Sequence, residues 1–171
     1  MFTQRYILTQ DQCDLFLDLY ESNYDETFRL DWGHESRYQR LLRIDDHELT
    51  REVKRLINIE HGTVCLDLDI DYFVPHYIEV FISQYQPGEG VGWHNDRPYF
   101  EYDPPYLNKR MYNFSINLND DYEGGRLQAD GIAVPKAVGT CTMFPITSKH
   151  KVDQVQSGRR FSLIGWVYKK A

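Results

Sequence analysis

At 171 residues the chain fits one domain able to bury most of its apolar surface, and with 42% hydrophobic and 26% charged residues its balance is that of an ordinary globular protein. The formal net charge of −7 opposes steering toward a phosphate backbone, so nucleic acid is disfavoured as a partner. Cys13, Cys65 and Cys141 are odd in number and form no C-x-x-C, which excludes a disulfide framework and a zinc knuckle. No apolar run approaches membrane-spanning length and residues 1–12 carry no apolar signal region, so the expectation is a soluble, cytoplasmic protein that makes no membrane contact.

In chain order, Tyr6-Ile7-Leu8 predicts a short strand. Thr9-Gln10-Asp11-Gln12 matches a capping box, and behind it Cys13, Leu15, Phe16, Leu19 and Tyr20 keep helical spacing. Asn23 to Arg43 has no clear period and reads as a loop or insert. Asp45-Asp46-His47-Glu48 reads as a second helix start of the same kind, with Leu49, Val53, Leu56 and Ile57 as its apolar stripe. From Tyr77 onward the period is two: Tyr112, Phe114, Ile116 and Leu118 alternate with Asn113, Ser115, Asn117 and Asn119. Asp130-Gly131 is a hairpin signal, Pro135 to Gly139 reads as a turn, and Thr140 to Phe144 and Arg160 to Tyr168 read as further strands. The expectation is a single domain over 1–171, mainly β with N-terminal helices. Residues 1–75 are mostly helical support and 76–171 form a sandwich or jelly-roll core, with the helices packed outside.

His94-Asn95-Asp96 places an imidazole and a carboxylate two positions apart, on one side of extended chain. Alone, the pair is common and fits a surface turn. His150, far along the chain after a predicted strand, adds a third ligand, a second imidazole. Two histidines and one carboxylate on one face of a metal are the facial triad of non-haem Fe(II) oxygenases, and they leave positions open for a chelating 2-oxo acid and for O2. Arg160 follows by ten residues. A guanidinium fork can grip a distal carboxylate with two charge-assisted hydrogen bonds. Arg159 is its rival, and strand alternation favours Arg160, which shares a face with Ser162, Ile164 and Trp166. On the neighbouring strand Asn113, Ser115 and Asn117 form a polar face opposite an apolar one, which must meet solvent or a polar cavity. The central position of the strand favours the cavity.

These residues stand in an ordered string: Gln84-Tyr85-Gln86-Pro87-Gly88, His94-Asn95-Asp96, Arg110, Leu118-Asn119-Asp120-Asp121-Tyr122-Glu123-Gly124-Gly125, Pro135 to Gly139, Phe144-Pro145, His150-Lys151-Val152, Gly158-Arg159-Arg160 and Trp166. The string resembles the Fe(II)/2-oxoglutarate-dependent dioxygenase superfamily, and within it the prolyl 4-hydroxylase-like group, over about Tyr77 to Tyr168. The resemblance implies a double-stranded β-helix, or jelly roll. It implies Fe(II) with 2-oxoglutarate and O2 as co-substrates, and the L-ascorbate such enzymes use. It implies metal ligation by His94, Asp96 and His150, the catalytic centre, with the cofactor bound by Arg160 and Tyr85 and, from the polar face, Ser115 and Asn117. Asn117 stands where related prolyl hydroxylases have a tyrosine, so its part is open. Arg110 and Trp166 match positions near the target proline, which implies a proline-containing peptide or protein as substrate. Tyr99 to Tyr106, aromatic and rich in proline, reads as a loop able to close over substrate. The rival readings are a hydroxylase of a free amino acid or other small molecule and a non-catalytic jelly-roll metal-binding module. A nucleic-acid demethylase is weaker, since the net charge opposes it.

Overall fold

The computed structural model describes residues 1–31, 38–97 and 109–170; the aromatic segment 99–106 lies outside them. The described chain forms β1 (Thr3–Tyr6), α1 (Gln10–Ser22), β2 (Phe28–Asp31), β3 (Tyr38–Arg43), α2 (Thr50–Asp67), β4 (Pro75–Tyr85), β5 (Val91–His94), β6 (Arg110–Asn117), β7 (Glu123–Gly124), β8 (Leu127–Ala129), β9 (Ile132–Ala133), β10 (Thr140–Pro145), β11 (His150–Val152), β12 (Val155–Ser157) and β13 (Arg160–Lys169), with one turn of 3-10 helix at Tyr24–Glu26. A large sheet runs β1-β10-β6-β13-β4-β3-β2. A smaller one runs β5-β11-β8-β9, and β12 pairs with β7. This is the jelly-roll arrangement expected.

The period of two decides which side of the large sheet is which. Ile78, Val80 and Ile82 of β4, Tyr112, Phe114 and Ile116 of β6, and Leu163 and Val167 of β13 share one core with Cys13, Phe16 and Tyr20 of α1 and Val53, Ile57 and Val64 of α2. The alternate residues, among them Ser83, Tyr85, Asn113, Ser115, Arg160 and Ser162, are also buried, and they face the other way. The sheet therefore carries helices on its apolar face and hides a polar face beneath the smaller sheet.

Local signals explain most element ends. Thr9 caps α1 in a full capping box with Gln12, as the sequence indicates. Asp130 (φ 49°) and Gly131 (φ 80°) both take left-handed conformations, the requirement of a two-residue type I′ hairpin between β8 and β9. Gly139 (φ 75°) makes the turn before β10.

Three expectations are corrected. The strand expected at Tyr6 to Leu8 is β1, which ends at Tyr6, because Ile7 and Leu8 both donate to the Gly139 carbonyl instead of a strand. The stretch 23–43, expected as a loop or insert, supplies β2 and β3 among its described residues, and these strands extend the large sheet past β4, so the first 75 residues are more than helical support. The second helix starts at Thr50 and not at Asp45. Asp45 is drawn away from any capping role because its buried carboxylate accepts from the Val80 amide, the Tyr77 hydroxyl and the Arg43 guanidinium.

Two glycines test this packing in opposite directions. A Cβ on Gly165, in the middle of β13, would meet the Glu79 carbonyl oxygen at 1.9 Å and the Phe114 ring at 2.5 Å. Gly165→Ala is expected to lower stability by at least about 1–3 kcal/mol. A Cβ on Gly62 in α2 would meet nothing within 4 Å, so Gly62→Ala is expected to raise stability by about 0.5–1 kcal/mol through helix propensity. The urea midpoint at unchanged m-value reads both; a Gly165→Ala midpoint at or above wild type would contradict the packing described.

Candidate metal centre and carboxylate pocket

β5 and β11 are antiparallel neighbours, and their register sets His94 directly opposite His150. The two rings lie 4.1 Å apart, centroid to centroid. Asp96 follows two residues after His94, and its backbone N–H donates to the Ile146 carbonyl at 3.2 Å, fixing the chain as it leaves β5. His94 Nε2 stands 3.6 Å from Asp96 Oδ1 and His150 Nε2 3.8 Å from Asp96 Oδ2. One potential ligand atom from each residue lies within 4.8 Å of the other two. The structure thus brings together the three residues that sequence reasoning singled out.

Both imidazoles are held in one tautomer. His94 Nδ1 lies 2.8 Å from the Gly92 carbonyl and His150 Nδ1 3.2 Å from that of Ser148. A carbonyl only accepts, so each Nδ1 carries a proton, and each Nε2 is the ring nitrogen turned toward Asp96 and available to a metal. Burial lowers the pKa of His150, against the opposing pull of the Asp96 charge, and so favours the neutral ring that a metal requires. Asp96 is gripped from outside: its Oδ2 accepts from Asn113 Nδ2 and, at 2.9 Å, from Trp166 Nε1. Two imidazoles and a carboxylate on one side of a common point are the donor set of a 2-His-1-carboxylate iron site, so the residues present fit Fe(II).

The three residues line a cavity of about 280 Å³ together with Tyr85, Ser115 and Arg160. β13 begins with Arg160 placed opposite Tyr85 of β4, and the guanidinium lies 5.5 Å from the tyrosine ring centroid. Arg160 is 3% exposed. It donates to Ser162 Oγ at 3.1 Å, its Nε has no hydrogen-bond partner, and it forms no ion pair among the described residues. A buried cation left in this state calls for an anion. Arg159, by contrast, points outward and pairs with Glu21 at 2.7 Å.

Tyr85 donates its hydroxyl proton to Gln39 Oε1 at 2.7 Å, and Ser83 donates to the same oxygen at 3.1 Å. Burial pushes the Tyr85 phenol up to about 12, opposed by the Arg160 charge, so it stays protonated at neutral pH. Both ends of the Asn117 amide are engaged: Nδ2 donates to the Asn119 carbonyl at 2.7 Å, and Oδ1 accepts from the Tyr122 hydroxyl at 3.1 Å. Asn117 lines a second, polar cavity of about 770 Å³, of which Ser115, Leu127 and Arg160 are also walls. The Tyr122 ring and the Arg160 side chain both come within 3.1 Å of where a Gly125 Cβ would stand, and burial raises the Tyr122 pKa while the Arg160 cation opposes the shift.

Arg110 and Trp166 line the smaller cavity but also engage each other. The Arg110 guanidinium sits 4.1 Å from the Trp166 ring centroid. It donates to the Tyr168 hydroxyl at 2.8 Å and lies 3.4 Å from Glu79, to which Tyr168 also donates at 2.6 Å. Sequence reasoning missed Gln39, Tyr122, Glu79 and the link from Asn113 to Asp96. Asn113 left a signal as a polar residue on a buried strand, and Tyr122 only as a member of the ordered string.

A family model for the 2OG-Fe(II) oxygenase superfamily matches residues 80–168. A PKHD-type hydroxylase of Synechococcus sp. (strain CC9902) is 32% identical over 94 residues, which cover 52% of this chain and 40% of that relative's length. The crystal structure of a Pseudomonas putida prolyl-4-hydroxylase has the same fold, with a TM-score of 0.76 at 21% identity over 99% of this chain and 93% of that one. So has a Trichoplax adhaerens prolyl hydroxylase in complex with a hypoxia inducible factor oxygen degradation domain peptide fragment, with a TM-score of 0.71 at 15% identity over 98% of this chain and 83% of that one.

The unpaired guanidinium makes a prediction that needs no ligand. Arg160→Met is expected to stabilise the metal-free protein by about 1–3 kcal/mol, because a buried cation without a counter-ion costs more than an apolar chain of similar size. A lower thermal midpoint than wild type would mean that the protein alone satisfies Arg160.

Proposed function

The chain belongs to the 2OG-Fe(II) oxygenase superfamily, and we propose that it is an Fe(II)- and 2-oxoglutarate-dependent hydroxylase of a prolyl residue in a peptide or protein. The observation that carries this reading is that one cavity holds both the His94, Asp96, His150 cluster and the buried, unpaired Arg160. A metal site needs the first and not the second. A co-substrate with a distal carboxylate needs both.

On this reading His94 Nε2, His150 Nε2 and a single Asp96 oxygen hold the iron. Arg160 receives the far carboxylate of 2-oxoglutarate, with Ser162 steadying the guanidinium and Tyr85 closing one side. Bound Fe(II) with 2-oxoglutarate and O2 supplies the oxidising power that turns a C–H bond into C–OH while the 2-oxo acid leaves as succinate and CO2. The chain supplies position and exclusion of water. Phe81, Ile164 and Trp166 make the cavity largely apolar, which suits a hydrocarbon ring such as proline's, and a proline in extended peptide enters as a rigid knob without an N–H. Arg110 stands beside it as a donor for a neighbouring peptide carbonyl. Two of the similar structures are prolyl hydroxylases, and one of them holds a peptide, which supports the substrate class.

Turnover with Fe(II) and 2-oxoglutarate, against proline-containing peptides and free amino acids read by mass, tests the proposal. A peptide gain of one oxygen, localised to proline, is expected. Hydroxylation of a free amino acid with none on any peptide would remove the prolyl substrate and keep the oxygenase; no 2-oxoglutarate consumption under any condition would remove both. Arg160→Ala should raise the 2-oxoglutarate KM by roughly 30-fold or more, the equivalent of losing about 2 kcal/mol or more from a buried charge pair. Arg159→Ala should leave it within about two-fold, as expected of an exposed ion pair. Arg110→Ala should impair peptide hydroxylation more than the slow 2-oxoglutarate consumption seen without substrate.

A further inference from the structure

We propose that Asn113 and Trp166 are positioning residues that clamp Asp96, so that it offers one oxygen, Oδ1, to the metal. The inference rests on the metal site proposed above and goes beyond it to how the carboxylate is held there.

The two residues are cross-strand partners, Asn113 on β6 and Trp166 on β13. Both point to the polar inner face, and their N–H groups converge on the same atom, Asp96 Oδ2. A carboxylate oxygen has two in-plane lone pairs, and two N–H donors occupy both. Oδ1 accepts no hydrogen bond among the described residues and stands 3.6 Å from His94 Nε2. The division of labour within Asp96 follows: Oδ2 is tied to the protein, and Oδ1 is the oxygen left for a cation.

Simple packing does not account for the amide. Asn113 is 3% exposed, and its own Oδ1 has no hydrogen-bond partner. Such a buried acceptor costs about 1–3 kcal/mol, a cost an apolar side chain of that size would not carry. The amide cannot turn over to relieve it, because Oδ1 would then face the Asp96 carboxylate. What Asn113 does with Nδ2 is therefore the reason for an amide at this position. Trp166 is pinned around its ring as well as at its N–H. Arg110 covers one face at 4.1 Å, and Phe81 packs in an edge arrangement at 6.0 Å. Glu79 and Tyr168 hold Arg110 in turn. The indole donor is thus fixed in space before any metal arrives, as an outer-shell partner has to be.

The consequence is a coordination number. With Asp96 held to one oxygen, the chain would offer three ligand atoms to a metal bound there and leave the rest of its coordination to a chelating 2-oxo acid and O2. A carboxylate free to swing onto the metal with both oxygens would take part of that remainder.

Co(II) serves as the probe, since its visible bands report both binding and coordination number. It is titrated into the whole protein as wild type, Trp166→Phe, Asn113→Leu and the double variant, with the thermal midpoint of each metal-free protein measured alongside. Trp166→Phe removes the N–H and keeps a ring beneath Arg110. Each single change is expected to raise the Co(II) Kd by roughly ten-fold and to alter the Co(II) bands. The double variant is expected to lose less than the product of the two, because both donors serve one oxygen. Wild-type affinity and an unchanged spectrum in Trp166→Phe and Asn113→Leu would overturn the clamp while leaving the metal site in place. If Asn113→Leu does not fold, Trp166→Phe decides alone. Failure of the wild type to bind Co(II) at all would overturn the metal site and the clamp together.

Discussion

The pairing of β5 with β11 sets His94 opposite His150, and much of the surrounding structure serves to hold those two strands in that register. A slip of one residue would turn one imidazole out of the cavity, because side chains alternate along a strand. The contacts that prevent a slip lie close by. β11 also pairs with β8, with His150 opposite Ala129. The type I′ turn that follows carries Asp130, whose carboxylate accepts from the Ser148 hydroxyl and the Lys149 amide, while its own N–H donates to the Lys149 carbonyl. A hairpin turn therefore clasps the two residues immediately before His150. On the other side Gly90 lets the backbone approach β11 closely, since a Cβ there would meet the Val152 carbonyl oxygen at 2.7 Å.

The second constraint is the polar inner face of the large sheet. Buried hydroxyls, amides and a guanidinium must find partners without water. Much of the demand is met by one residue from an edge region: Gln39 of β3 offers a single oxygen to both Ser83 and Tyr85. Ser162 partly serves Arg160. The strand β3 thus matters to the cavity that holds Arg160, since without it the hydroxyl of Tyr85 would lack its acceptor.

What could be read from the sequence follows from these two constraints. The pairing of His94 with Asp96, the burial of Arg160 in place of Arg159, and the polar face of β6 are legible because side chains alternate along a strand and the relevant residues sit two, four or six apart. Gln39 was not legible. Its strand pairs a buried glutamine with adjacent Leu41 and Leu42, which breaks the alternation, and the face that makes Gln39 useful exists only once β4 lies beside it. The start of α2 was misread because Asp45-Asp46-His47-Glu48 has the composition of a cap, and only tertiary structure shows that the Asp45 carboxylate is claimed by Val80 and Tyr77. Asn117 shares the polar face with Ser115, and its part in binding a cofactor is left open by the sequence. The short path from Tyr122 back to β6 engages its amide locally.

Unsatisfied groups give an independent route to the same place. Among the described residues three buried side-chain atoms have no hydrogen-bond partner: Gln84 Nε2, Asn113 Oδ1 and Arg160 Nε. Gln84 belongs to the helix side of the sheet, where its oxygen accepts from Tyr20. The other two line the cavity that holds His94, Asp96 and His150. Each such atom costs stability that a folded domain of this size can ill spare, about 1–3 kcal/mol apiece. Their concentration in one cavity is the opposite of what stability alone would select. It is what a pocket looks like when its hydrogen bonding is completed by bound molecules and not by the protein. The donor left over on Arg160 asks for an anion at the far end, the acceptor left over on Asn113 asks for a donor near the His94, Asp96, His150 cluster, and the apolar wall between Phe81 and Trp166 asks for neither. The proposed function divides these demands between two molecules, an anionic co-substrate at Arg160 and a substrate that presents hydrocarbon to Phe81 and Trp166.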